Sequence, residues 1–216
     1  MGELNTQQLI GELAAQLQPV RRLRPPAVRA LLWLLAIAAL TAWPVLHYAD
    51  FDVFLARMSH PRVAVESTGT LLTGIAAVVA AFNLCIPGRS IRWLWLPLPP
   101  LLLWLAASGL GCLHNGLSLH GPGGFIGDSG KCFRFILGAS VPLGALLFWA
   151  LRRARPLAPL PVAAAGTLGV AALAAFILQF FHPFDVTVID LALHLAAIAI
   201  VIAVGAALHR PLLGTD

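Results

Sequence analysis

The chain has 216 residues, of which 59% are hydrophobic and only 11% charged, and its mean hydropathy is +0.87. A soluble domain of this size carries about 25% charged residues, and a soluble helical core protein needs polar faces at helical period that these segments lack, so both are set aside. The formal net charge of +5 then reads as a consequence of membrane topology, and direct nucleic-acid binding is not expected.

Residues 1–18, MGELNTQQLIGELAAQLQ, are polar and weakly acidic, unlike a cleavable signal peptide. Asn5 or Thr6 caps a predicted helix that runs to about Gln18, where Pro19 stops it. Leu9, Ile10, Leu13 and Leu17 recur on one face as an apolar stripe. The polar face holds Gln7, Gln8, Glu12, Gln16 and Gln18, whereas a helix lying on a membrane usually carries basic residues there. Such a helix suits a groove on a partner protein, and Arg21, Arg22 and Arg24 follow it as a tether to anionic headgroups.

Six apolar segments of about 20 residues, the length that crosses a bilayer, follow at 29–48, 64–86, 93–111, 133–151, 160–181 and 186–208. The expected fold class is an all-α polytopic membrane protein, a six-transmembrane-helix bundle with short loops. It divides into a cytoplasmic N-terminal arm (1–24), a transmembrane domain (25–208) and a cytoplasmic tail (209–216). With the termini inside, ten basic residues (Arg21, Arg22, Arg24, Arg29, Arg89, Arg92, Arg152, Arg153, Arg155 and Arg210) fall on the cytoplasmic side. Arg57, Arg62, Lys131 and Arg134 fall outside, a distribution that sets this orientation.

Trp33, Trp93, Trp95 and Trp149 fall near predicted cytoplasmic ends and Trp43 near an outer end, where amphipathic rings gather, while Trp104 reads as a packing residue. Pro97, Pro99 and Pro100 are expected to bend or delay the third span, and Pro44 and Pro142 to kink theirs. Gly69, Thr73, Ala77 and Ala81 in the second span, and Ala163, Thr167, Ala171 and Ala175 in the fifth, place small residues every fourth position, which lets helices approach closely. Midplane Thr41, Thr73 and Ser140 are expected to bond their own helix backbone.

The outward face gathers His47, His60, His114, His120, His182 and His194 with Asp50, Asp52, Asp128, Asp185 and Asp190. Imidazole and carboxylate together can ligate a transition metal, and His114, His120, His182 and Asp185 are the candidate ligands for a metal that acts as a signal; no cofactor is expected. Asp190 and His194, four residues apart, read either as a helix-end hydrogen bond or as a metal or proton site. Neither HExxH nor CxxC is present, so a metal-dependent or redox membrane enzyme stays an alternative, as does a small transporter.

Cys112 and Cys132 flank the third outward loop, and a disulfide between them closes about 20 residues, an entropic gain of about 3 kcal/mol. The competing readings are a buried, reduced Cys112 and an exposed, redox-sensitive Cys132 beside Lys131 and Arg134. Cys85 reads as a small packing residue.

Several strings, LIGELAAQLQPVRRLRPPAVRALLWL at 9–34, GKCFRF at 130–135, LRRARPLAP at 151–159 and HPFDVTVIDLALH at 182–194, resemble the NrsF-type bacterial inner-membrane anti-sigma factors. The resemblance covers essentially the whole chain. It implies a regulator without catalytic residues that holds an extracytoplasmic-function sigma factor at the inner membrane until an envelope stress releases it. It also implies sensing through cysteines facing the periplasm, and Cys132 stands where one is expected. The second expected cysteine is missing, since residues 181–185 read Phe-His-Pro-Phe-Asp. That departure leaves Cys112, His182 or no redox switch at all.

Overall fold

The computed structural model of the chain describes residues 6–16, 23–114, 126–181 and 188–213, with side chains at all of these except 112–114, 126–129 and 188. Among the described residues the secondary structure is entirely helical: α1 (Thr6–Ala15), α2 (Pro26–Tyr48), α3 (Phe51–Met58), α4 (Pro61–Leu84), a 3-10 turn (Ile91–Trp95), α5 (Leu98–His114), α6 (Ile126–Arg152), α7 (Pro159–Leu178), α8 (Val188–Ala207) and α9 (His209–Leu213). Six of these segments are long and apolar enough to cross a membrane.

Local chemistry explains where the helices start. Pro26, Pro61 and Pro159 occupy first-turn positions, where a missing N–H has no intrahelical partner to lose. The prolines of the third span act in the same way: the chain makes a 3-10 turn, passes Pro97 and begins α5 at Leu98, with Pro99 and Pro100 in the first turn. The short helix α3 was not expected between the first two spans. It is capped by Asp50, whose carboxylate accepts from the Val53 N–H at 3.1 Å, and it is held by Phe54 stacked on Phe180 with ring centroids 4.3 Å apart.

α4 and α7 form the centre of the bundle, with 50% and 67% of their apolar windows buried against 17% for α2. The two small-residue stripes explain why. Every residue of both stripes is buried, and the helices meet so closely that a Cβ on Gly169 would stand 2.8 Å from Val78 Cγ2 and 3.2 Å from the Gly74 carbonyl oxygen. In lipid the apolar surroundings do not drive helices together, so such close packing supplies the cohesion. The Thr73 and Thr167 hydroxyls donate to the Gly69 and Ala163 carbonyls at 2.7 Å each, leaving no bare polar atom at the seam.

Two apolar clusters result. One contains Trp33, Phe82, Cys85, Leu147, Leu151 and Val162, and the other Trp104, Cys132, Ile136 and Ala171. Trp104 is therefore the packing residue expected, but Trp33 departs from its expected interfacial role. At 5% exposure it lies in the core, whereas Trp43, Trp95 and Trp149 are exposed at helix ends.

Candidate functional site

The alternation of six spanning helices puts the start of α2 and the ends of α4 and α6 at one end of the bundle, together with most of the arginines. At this basic end Arg29 joins three helices. Its Nη2 donates to the Ala150 carbonyl at 2.7 Å and its guanidinium lies over the Phe82 ring at 5.0 Å. Ala150 is in the last turn of α6, where carbonyls lack intrahelical partners and the helix dipole favours a cation. The start of α2, the helix that follows the arm, is thereby fastened to α4 and α6. Arg153 over Trp149 at 3.8 Å is a second cation–π contact at this end.

Ahead of that attachment stands α1. Leu9, Ile10 and Leu13 are 42%, 54% and 57% exposed, and no residue of the helix is buried. Glu12 and the glutamines share the remaining surface. An apolar stripe left this exposed on a helix is a surface that can take a partner. Leu17, the fourth residue expected on the stripe, lies outside the described residues.

The opposite end is polar in its interior. Arg57 of α3, Glu66 of α4, Ser108 of α5, Gln179 after α7 and His194 of α8 line a cavity of about 40 Å³, space for a few waters and not for an organic substrate. Ser67, 1% exposed, donates its hydroxyl to the Gln179 side-chain oxygen. His194 Nδ1 lies 2.6 Å from the Asp190 backbone oxygen. A carbonyl only accepts, so Nδ1 is the donor in this contact. This contact is the helix-end hydrogen bond expected as one alternative, made to the backbone of Asp190, a residue that is itself 5% exposed. Four spanning helices, α4, α5, α7 and α8, therefore meet around polar side chains at this end, with α3 beside them.

Of the residues expected to sense a signal, Cys132 is 4% exposed in the cluster with Trp104 and Ile136, not at the surface as the exposed-thiol reading required. The side chain of Cys112 lies outside the described residues, and with it the question of a bridge to Cys132. His114 (side chain), His120, His182 and Asp185, the candidate metal ligands, lie outside them too. Among the described residues no group of three or more His, Cys, Asp or Glu side chains is placed to hold a metal ion. The sequence reading used Arg29 and Arg57 only as charges that set the orientation, and it passed over Ser108 and Gln179. Gln179 had a visible signal, as a strong polar group at the end of an otherwise apolar span, while Arg57 and Ser108 acquire meaning only when α3 and α5 are placed beside it.

Neither the curated proteins nor the solved structures contain a match to this chain. A family model described as "NrsF: Negative regulator of sigma F" does match, over residues 13–214. The matched range takes in all six spanning helices and begins inside α1, at the last leucine of its described stripe. A membrane-spanning helical bundle preceded by an amphipathic helix therefore belongs to the NrsF family of negative regulators of sigma F.

Proposed function

We propose that this protein is a membrane anti-sigma factor whose N-terminal arm, residues 1–24, holds an extracytoplasmic-function sigma factor at the bacterial inner membrane and releases it when a stress acts on the outward face. The single observation that carries the reading is α1: its apolar stripe of Leu9, Ile10 and Leu13 is exposed. Membership of a family of sigma-factor regulators supplies the class of partner. The basic end of the bundle is cytoplasmic in this reading, by the distribution of arginines, so the arm faces the compartment where sigma factors work. The small volume of the polar cavity at the other end favours a regulator over an enzyme.

Release requires a signal that binds or modifies one state of the bundle in preference to another. Cys132, with Cys112, is the proposed redox point, and His114, His120, His182 and Asp185 the proposed metal point. Because Cys132 is packed among α5, α6 and α7 residues, oxidation there places a polar group in a tight apolar cluster and forces helices apart. Replacing Cys112 and Cys132 by serine with every stress response unchanged would sink the redox version.

The arm is tested by capture from bacterial membranes kept reduced and metal-chelated. The full chain is expected to retain a sigma factor that a chain lacking residues 1–24 does not, identified by mass spectrometry. Leu13→Glu, which puts a charge in the stripe, is expected to weaken that retention by about tenfold or more, the loss typical of an interface anchor. Equal retention with and without the arm defeats the proposal.

A further inference from the structure

Between α6 and α8, toward the basic end of the bundle, lies an apolar groove of about 680 Å³ floored by Thr167 and Val170 of α7 and closed by Pro211 and Leu212 of α9. It exists because both helices lean on α7 at this level. A Cβ on Gly205 of α8 would collide with Thr167 Cγ2, and one on Gly166 of α7 would stand 3.0 Å from Leu147 of α6. Gly144 leaves the α6 wall bare: a Cβ there meets nothing within 4 Å. From Leu137 to Arg152, both lining residues, the wall runs about 22 Å at 1.5 Å per residue, about three quarters of a hydrocarbon core of about 30 Å.

The groove ends on positive charge. Arg152 lines it, Arg153 lies over the ring of the lining Trp149, and Arg210 adjoins the lining Pro211. The acidic residues of the described segments 126–181 and 188–213, Asp128 and Asp190, are both at the other end of the bundle. A long slot, apolar along its length and cationic at its mouth, has the complement of an anionic phospholipid. A second copy of the chain fits less well, since parallel copies in one membrane bring two arginine mouths to the same side of the interface.

We propose that this groove binds one anionic phospholipid, an acyl chain lying against Gly144 between α6 and α8 and the phosphate among Arg152, Arg153 and Arg210. The lipid then wedges the two helices against α7 and completes the packing that glycine leaves open.

The test uses the full chain in mild detergent, incubated with equal amounts of phosphatidylglycerol and phosphatidylcholine of the same chain length and read by native mass spectrometry. Wild type is expected to retain one phosphatidylglycerol per monomer in clear preference. Arg152→Gln is expected to lower the preference about fivefold, the loss of one basic residue near an anionic headgroup. Gly144→Phe, which fills the groove, is expected to retain neither lipid. Gly138→Phe, on the same helix and also with open space around it but outside the groove, is expected to behave as wild type. Equal retention of the two lipids by wild type overturns the proposal, as does a Gly144→Phe protein that keeps phosphatidylglycerol. A wild-type dimer that Gly144→Phe converts to monomer overturns it in favour of a second copy. Should Gly144→Phe fail to fold, shown by lost helical circular dichroism, the Arg152→Gln ratio decides alone, an unchanged preference counting against the proposal.

Discussion

At the scale of single residues, burial decides what a side chain can do. Arg29 is the clearest case, a cation that joins α2 to the last turn of α6 and to the face of Phe82. Arg29→Gln is expected to lower stability by about 2 kcal/mol, the scale of a charged hydrogen bond with its cation–π contact. Arg29→Lys is expected to fall between, because an ammonium keeps the charge without the planar fork. Thermal unfolding of the detergent-solubilised protein reads both, and a wild-type midpoint for Arg29→Gln would remove the fastening role. Cys85, 1% exposed, is expected to react with a maleimide far more slowly in the folded protein than after denaturation. Equal rates would show that the thiol is not packed. Most polar groups in the spans behave as their chemistry predicts, with Thr41, Thr70 and Asn83 bonding back to Ile37, Glu66 and Val79. Ser140 does not: its buried hydroxyl has no hydrogen-bond partner.

At the scale of elements, small residues set which helices are neighbours. Gly169 meets the backbone of α4 across the central seam, so Gly169→Leu is expected to cost about 1–3 kcal/mol as overpacking. Gly109→Leu, where a Cβ meets nothing within 4 Å, serves as its control and is expected to be nearly neutral. A melting point for Gly169→Leu no lower than that of the control would mean that the α4–α7 contact is looser than described. Both stripes were legible from the four-residue period. Which helix each would meet was not, because the period identifies a face and carries no information about its partner. The helix α3 was hidden for a different reason: its stretch is too short and too mixed in polarity to stand out between two spans. The Asp50 cap and the Phe51, Phe54 pair were its only local signals.

For the whole molecule, the bundle has one end that is rich in arginine and carries α1, and another whose interior is polar and flanked by α3. In the proposed orientation the first end is cytoplasmic. A reporter active only in the periplasm is therefore expected to work when fused in the 49–60 connection and to stay silent when fused at either terminus; the reverse pattern would invert the topology and with it the role of the arm. The two ends are joined by α7, which packs against α4 and contributes residues to both apolar clusters. A change in packing near Cys132 or the polar cavity is thus one helix length from Arg29 and the root of the arm.

Composition, the spacing of apolar runs and the arginine bias determined the membrane class, the six spans and the expected orientation, because lipid leaves the chain few other ways to satisfy its backbone. The amphipathic stripe of the arm was equally plain, since helical period is a local property. Only the tertiary structure decided that Cys132 and Trp33 are buried, that Arg29 clamps three helices, that Ser67, Ser108, Gln179 and His194 meet, and that α6 and α8 leave a groove beside Gly144. Each of these depends on which faces of distant segments are brought together, and close packing of small residues, not the polarity of any one segment, makes that choice.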